Sequence, residues 1–339
     1  MGIQANAWVR LEPSFVEPEI LMQYSQPSGF VDAMADQQLR VRMESDDLLV
    51  YMKQLNVRTR IAAGTSSMDE LPGVDIAASY MSTPSYLLKA SAQWDHHDVR
   101  AGSRWGFSTP EAYKKGIQQA NYQFARDGFF YGFSPQFGEG LLNASGAVPI
   151  NLPPDSNGVT TVQGYDNGEM AFFLSQQVLA IKTRTLQLGM GKKFTIIGPQ
   201  RTLGLFEYNV VQLVQYQRVG AGSASTAETM AAIVQGNGDT VTWAYDDTLI
   251  GKGDGGSDAV VLVMPEVDIP REQKVNTNVF ASLMPANKVC VTQYCDKAAP
   301  TEIISPLARG ATDLVTEWRV TSGYAPRGIA VTIISMPYE

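Results

Sequence analysis

Ser108-Thr109-Pro110-Glu111 opens the one long helix that this sequence spells out, and that helix constrains the fold more than any other feature. The Ser108 hydroxyl is placed to accept from the amide three residues on while Glu111 reaches back to the cap, a capping box. Proline in the first turn has no amide to leave unsatisfied. Tyr113, Ile117, Ala120 and Phe124 then recur at helical spacing, with Lys114, Lys115, Gln118, Gln119 and Arg126 on the other sides. The pattern predicts a helix over 110–131, ended by Gly132 and Pro135.

The remaining helical signals are shorter. Asp166, with Glu169 three residues on, predicts a helix running to Thr185 along Met170, Leu174, Val178 and Ile181. Ser225 with Glu228 predicts another over 226–235. Residues 194–198 and 207–218 read as strand-like or mixed, and Val241–Ile250 and Ala259–Met264 as strands flanking a glycine-rich hairpin loop. Leu314, Thr316, Trp318 and Val320 alternate, the chain turns over 323–328, and a last strand covers 329–335. Few helices, many strands and no repeating βαβ unit give the fold class α+β.

Residues 1–45 read as an arm. Pro13, Pro18 and Pro27 interrupt it, and Trp8, Leu11, Phe15, Ile20, Leu21 and Phe30 keep no sustained period, so it has no core of its own. Residues 46–107 read as β-rich, without a helix after residue 55. Val57–Ile61 and Tyr86–Trp94 form its strands, the second bounded by Pro84 and by Asp95-His96-His97-Asp98. Little apolar mass lies between the two strands, which predicts a protruding hairpin.

Composition removes several function classes. The 339 residues carry a net charge of -8 and no Lys/Arg block, so nothing supplies the clustered positive charge that sequence-specific phosphate binding needs. Charged residues are 18%, below the usual ~25%, which points to surface covered by partners. No charged-then-apolar leader and no run of ~18 apolar residues occurs, so neither a signal peptide nor a membrane span is expected. Cys290 and Cys295 are the only cysteines and His96 and His97 the only histidines, too few for a structural zinc site. The two cysteines read as small apolar residues.

No catalytic, cofactor-binding or metal-binding residue is assigned. Adjacent residues on an extended strand point to opposite faces, so His96-His97-Asp98 reads as a polar turn. Gly251-Lys252-Gly253-Asp254-Gly255-Gly256-Ser257-Asp258 is a single copy of a calcium-repeat-like run and lacks the helix that a phosphate loop must open. Gly189-Met190-Gly191-Lys192-Lys193 fails the same test. Asp246-Asp247 has no basic partner near in sequence.

The order of segments resembles the HK97-type fold of major capsid proteins of tailed bacteriophages, with a short-tailed phage the expected source. The resemblance is carried by that order over nearly the whole chain, by Leu71-Pro72-Gly73-Val74-Asp75-Ile76, by the aromatic stretch Phe129-Phe130-Tyr131-Gly132-Phe133, and by Gly138-Glu139-Gly140-Leu141-Leu142-Asn143. It implies an N-terminal arm over 1–45, an extended loop with its lead-in over 46–107, a spine helix and the first part of a peripheral domain over 108–190, an axial domain over 191–305, and returning peripheral strands over 306–339. It further implies a non-enzymatic shell subunit without cofactors, forming hexamers and pentamers around double-stranded DNA that it does not bind sequence-specifically.

The hairpin would lie over a neighbour, with Trp8, Phe15, Tyr86, Trp94 and Trp105 as contacts between subunits. Portal, scaffolding and decoration (cement) proteins are the implied partners, with the scaffold separate or absent. The implied location is the virion, after assembly in the host cytoplasm and without contact to a membrane. Two rival readings remain at this point: an encapsulin-type bacterial compartment shell of the same fold, and a β-rich enzyme or binding protein whose site assembles in space.

Overall fold

The computed structural model describes residues 28–36, 47–59, 74–104, 106–135, 138–185, 187, 191–208, 210–211, 224–236, 238–268, 288–290, 301–307, 310–325 and 327–339. In chain order these form β1 (Leu49–Thr59), β2 (Val74–Asp95), α1 (His96–Arg104), α2 (Thr109–Phe130), β3 (Val148–Asn151), α3 (Asn167–Arg184), β4 (Lys193–Gly198) and α4 (Gln200–Tyr208). Two short strands follow, β5 (Val210–Val211) and β6 (Ala224–Ser225), then α5 (Thr226–Gln235), β7 (Thr240–Tyr245), β8 (Asp258–Val263), β9 (Glu266–Asp268), β10 (Lys288–Cys290), β11 (Thr301–Pro306), β12 (Ala311–Thr321) and β13 (Val331–Met336).

Two sheets organise the chain. The first is antiparallel, in the order β1-β2-β12-β11. Its long strand β2 has 22 residues and two partners: Val74–Pro84 pairs with β1, and Ser85–Asp95 pairs with β12. The β1–β2 half therefore leaves the sheet as a two-stranded ribbon, about 35 Å long at the usual rise per residue.

The second sheet is mixed, in the order β3-β13-β8-β4-β7, with β8 antiparallel to both neighbours and the outer pairs parallel. All six residues of β8 are buried, which is why its sequence is an unbroken apolar run after Asp258 rather than an alternation. Helices α3 and α5 pack against each other beside this sheet, and Leu174, Ile181, Phe194, Ile196, Leu262 and Ile334 lie in its core.

The helix signals translate directly. The Asp166 side chain accepts from the amides of Gly168 and Glu169 at the start of α3, and Ser225 with Glu228 closes a full capping box on α5. At α2 the helix forms as expected, but Ser108 makes no side-chain cap. Thr109 instead donates its hydroxyl to the Asp98 carbonyl, at 3.0 Å, tying the start of α2 to α1.

Four local expectations are corrected. Residues 96–104 are a helix, not a turn. Asp95 and Asp98 cap each other's backbone amides, at 2.8 and 3.1 Å, and this reciprocal cap starts a helix that carries no periodic apolar face to announce it. The protruding hairpin pairs 49–59 with 74–84, whereas the Tyr86–Trp94 stretch pairs with β12 inside the sheet.

Residues 200–208 form helix α4. The Asp247 carboxylate accepts from the Gln200 amide in its first turn, a cap that only the tertiary fold supplies; 212–218 fall outside the described residues. The glycine-rich loop does not join a hairpin, because β4 lies between β7 and β8.

Candidate assembly surfaces

Three separated chain segments meet at the C-terminal end of α2. Phe129 and Phe130 are buried there, and the Gly323 amide donates to the Gly128 carbonyl at 2.8 Å while the Gly140 amide donates to the Gly323 carbonyl at 2.6 Å. A Cβ on Gly323 would lie 2.4 Å from the Phe129 carbonyl oxygen. One on Gly140, whose φ is +87°, would lie 2.4 Å from the Tyr131 carbonyl carbon. Backbone packs on backbone at this point, which only glycine permits. The Gly138–Asn143 stretch thus has a physical role: Asn143 donates to the Tyr131 and Glu139 carbonyls, at 2.9 and 3.3 Å.

The root of the projecting ribbon is fixed at the same junction. Glu139 is 2% exposed, and its carboxylate accepts from the Tyr86 hydroxyl and the Ser134 amide. The Tyr86 ring packs edge-on to Phe133, with centroids 4.9 Å apart.

Residues 28–36 bridge α2 to the five-stranded sheet. The Tyr122 hydroxyl donates to the Ser28 carbonyl at 2.7 Å, the Ser28 hydroxyl donates to the buried Asp246 carboxylate, and the Gly29 amide donates to the Tyr245 carbonyl at 3.0 Å. Phe30 fills the gap between Tyr122 and Phe129. Asp246 also caps Thr248, and Asp247 caps α4, so the carboxylate pair is structural.

Between its anchored ends α2 is poorly covered. None of residues 111–127 is buried. Tyr113 stacks on Trp94 with centroids 5.9 Å apart, Phe124 stacks on Phe133, and Lys114 reaches Glu302 at 2.7 Å. The ribbon is barer still: Tyr51 is 58% and Tyr80 74% exposed. Their rings meet edge-to-face, 5.9 Å between centroids. The register puts Leu49, Tyr51 and Tyr80 on one face. An apolar face on a bare two-stranded ribbon has nothing of its own to pack against.

Of the residues expected at contacts between subunits, Trp94 is 9% exposed beneath Tyr113 and Tyr86 is engaged with Glu139, while Trp8, Phe15 and Trp105 lie outside the described residues. Tyr51 and Tyr80 escaped the sequence reading, which placed its strands at 57–61 and 86–94 and included neither residue. His96 and His97 stand at the start of α1 with ring centroids 3.9 Å apart, and the strand-based argument for opposed rings does not apply there. Among the described residues no cluster of three or more His, Cys, Asp or Glu side chains is arranged to hold a metal. No helix among them is long and apolar enough to cross a membrane.

No protein-family model matches the chain, and no curated protein matches it in sequence. Solved structures do match, end to end. The chain of the capsid of Myoviridae phage XM1 superposes with a TM-score of 0.66 at 10% identity, over 95% of this chain and 96% of that one. The capsid of the native GTA particle gives 0.54 at 10% identity, over 98% and 97%. The capsid of cyanophage P-SCSP1u gives 0.52 at 10% identity, over 98% and 94%.

The fold is HK97-like. Within the HK97-like fold α2 is the spine helix and the β1–β2 ribbon the extended loop. A long helix left bare along its shaft and a ribbon without a packing partner are thereby parts of one architecture.

Proposed function

We propose that this chain is the major shell subunit of a tailed bacteriophage, a structural protein without catalytic function. The observation that carries the reading is the likeness to phage capsid chains over essentially the full length of both partners. The exposed shaft of α2 and the bare Leu49–Tyr51–Tyr80 face support it, because surfaces of that kind are stabilised when a neighbour covers them.

In this reading the copies form hexamers and pentamers that close into an icosahedral shell around double-stranded DNA. The net charge of -8 keeps the wall from adhering to its contents. The ribbon lies across a neighbouring subunit, and Tyr51 and Tyr80 join the expected aromatic contacts there. The four-stranded sheet with α2 acts as the peripheral domain. The five-stranded sheet with α3, α4 and α5 acts as the axial domain, drawing β3 and β13 from either side of it in sequence. Portal, scaffolding and decoration proteins are the partners expected of such a subunit, and the virion, assembled in host cytoplasm, its location.

Sedimentation velocity on the purified full chain, alone and with a candidate scaffold, tests the proposal. Assembly into rings or shells is expected, and a species that stays monomeric in both arms would overturn it.

A further inference from the structure

Gly116 lies in the interior of the 22-residue helix α2, on its exposed shaft. Two other glycines of α1 and α2 are required by packing. A Cβ on Gly102 would lie 2.3 Å from the Thr109 hydroxyl oxygen, and one on Gly128 would lie 2.5 Å from the Phe133 ring. A Cβ on Gly116 would meet nothing within 4 Å. Alanine would fit there, and glycine weakens the local helix roughly fivefold relative to it. Close packing within the subunit does not account for that glycine.

The helix is tied on both sides of this residue, to different parts of the chain. Toward its start, Thr109 donates to the Asp98 carbonyl, Tyr113 stacks on Trp94 and Lys114 pairs with Glu302. The first turns therefore go with α1 and with the nearby ends of β2 and β11. Toward its end, Tyr122 donates to the Ser28 carbonyl, Phe124 stacks on Phe133, and Phe129 and Phe130 enter the core. Between these ties, side chains 115–121 make no hydrogen bond, ion pair or ring contact with a described residue. The Asn121 side-chain oxygen is buried there without a partner among the described residues, and asparagine is itself a poor helix former.

We propose that α2 bends at Gly116. A weak backbone and untied side chains coincide there, between two firmly held ends, so a change of angle costs little and breaks no packed contact. The bend swings α1 and the first turns of α2 relative to residues 28–36 and the five-stranded sheet. Its use rests on the shell reading: identical subunits that form both five- and six-membered rings need more than one shape, and a loose turn in a long helix supplies it.

Hydrogen exchange of the full chain, read by mass spectrometry, tests the loose turn, and electron microscopy of the assembly products tests its use. Amides 116–120 should exchange fastest within the interior of α2. Gly116→Ala should slow them about fivefold, with the thermal midpoint of the subunit unchanged or raised. The same variant should lose closed shells and leave rings or sheets of a single curvature. Adding Ala120→Gly moves the loose point by one turn and should restore closure. A double variant that still fails to close would mean that a neighbour packs on Gly116, and overturns the bend. Uniform exchange along α2, or closed shells from Gly116→Ala in wild-type yield, would overturn it too. A wild-type chain that never assembles contradicts the shell reading, and the exchange pattern then decides the loose turn by itself.

Discussion

The Tyr86 hydroxyl lies 3.0 and 3.1 Å from the two carboxylate oxygens of Glu139, a side chain only 2% exposed. This bond ties the strand that becomes the projecting ribbon to the loop after the spine helix. Tyr86→Phe leaves the buried carboxylate short of a donor and is expected to cost about 1–3 kcal/mol of subunit stability, read as a lowered thermal midpoint.

Burial raises the Tyr86 phenol above its usual range, and the Glu139 carboxylate adds to that against an opposing hydrogen bond with the Ser134 hydroxyl. A group whose folded pKa exceeds its unfolded one contributes stability that is complete below the unfolded value, here about 10, and is lost as pH rises through the folded value. The gap between wild type and Tyr86→Phe should therefore narrow above about pH 10 in denaturant titrations. A gap that is constant with pH would contradict the role of this bond.

Asp258 is fully buried, accepts from Arg201 Nε and Nη2 at 2.8 and 2.6 Å, and also accepts from the Thr202 hydroxyl and the Gly251 amide. Burial pushes its carboxyl upward, but these hydrogen bonds and the Arg201 charge outweigh burial and hold it below the usual carboxylate range. A depressed folded pKa gives stability that is present above the unfolded value and lost as pH falls through the folded one. Asp258→Ala should cost roughly 2–4 kcal/mol at neutral pH, and the penalty should fade below about pH 4. Urea unfolding at pH 7 and pH 3 measures both.

Gly140 sits at positive φ against the backbone of Tyr131 and Gly132. Gly140→Ala adds left-handed strain to a backbone clash and is expected to cost at least about 3 kcal/mol, enough to leave much of the expressed chain insoluble. Gly158→Ala is the control: its φ is also positive, but the added methyl meets nothing within 4 Å, so only the smaller conformational cost should appear.

The Tyr51 and Tyr80 rings meet edge-to-face and both are largely exposed. Replacing both with serine should change the subunit's thermal midpoint little, since exposed substitutions usually stay within about 0.5 kcal/mol, while weakening association measurably in light scattering. Equal loss in both assays would mean that the pair serves the fold and not a neighbour.

Local signals carried the helices: Asp166 and Ser225 mark α3 and α5 almost to the residue because caps act within four positions of the chain. The order of segments carried the fold class. Tertiary events left no such trace. Helix α4 is capped by Asp247, forty-seven positions away, and the Tyr86–Glu139 bond spans fifty-three. Strand β2 looked like one arm of a hairpin because nothing in Tyr86–Trp94 names β12 as its partner. Trp94 lies under Tyr113 and Tyr80 faces water, although both point to the same side of β2; the difference is set by position along the strand, Trp94 in the half that pairs with β12 and Tyr80 in the half that pairs with β1.

Electron microscopy of the purified full chain tests the central claim most directly. The account predicts closed shells, or rings of five and six copies, built from subunits with a projecting ribbon laid across the neighbour. A field of uniform monomers at high protein concentration, unchanged by a candidate scaffold, would contradict it.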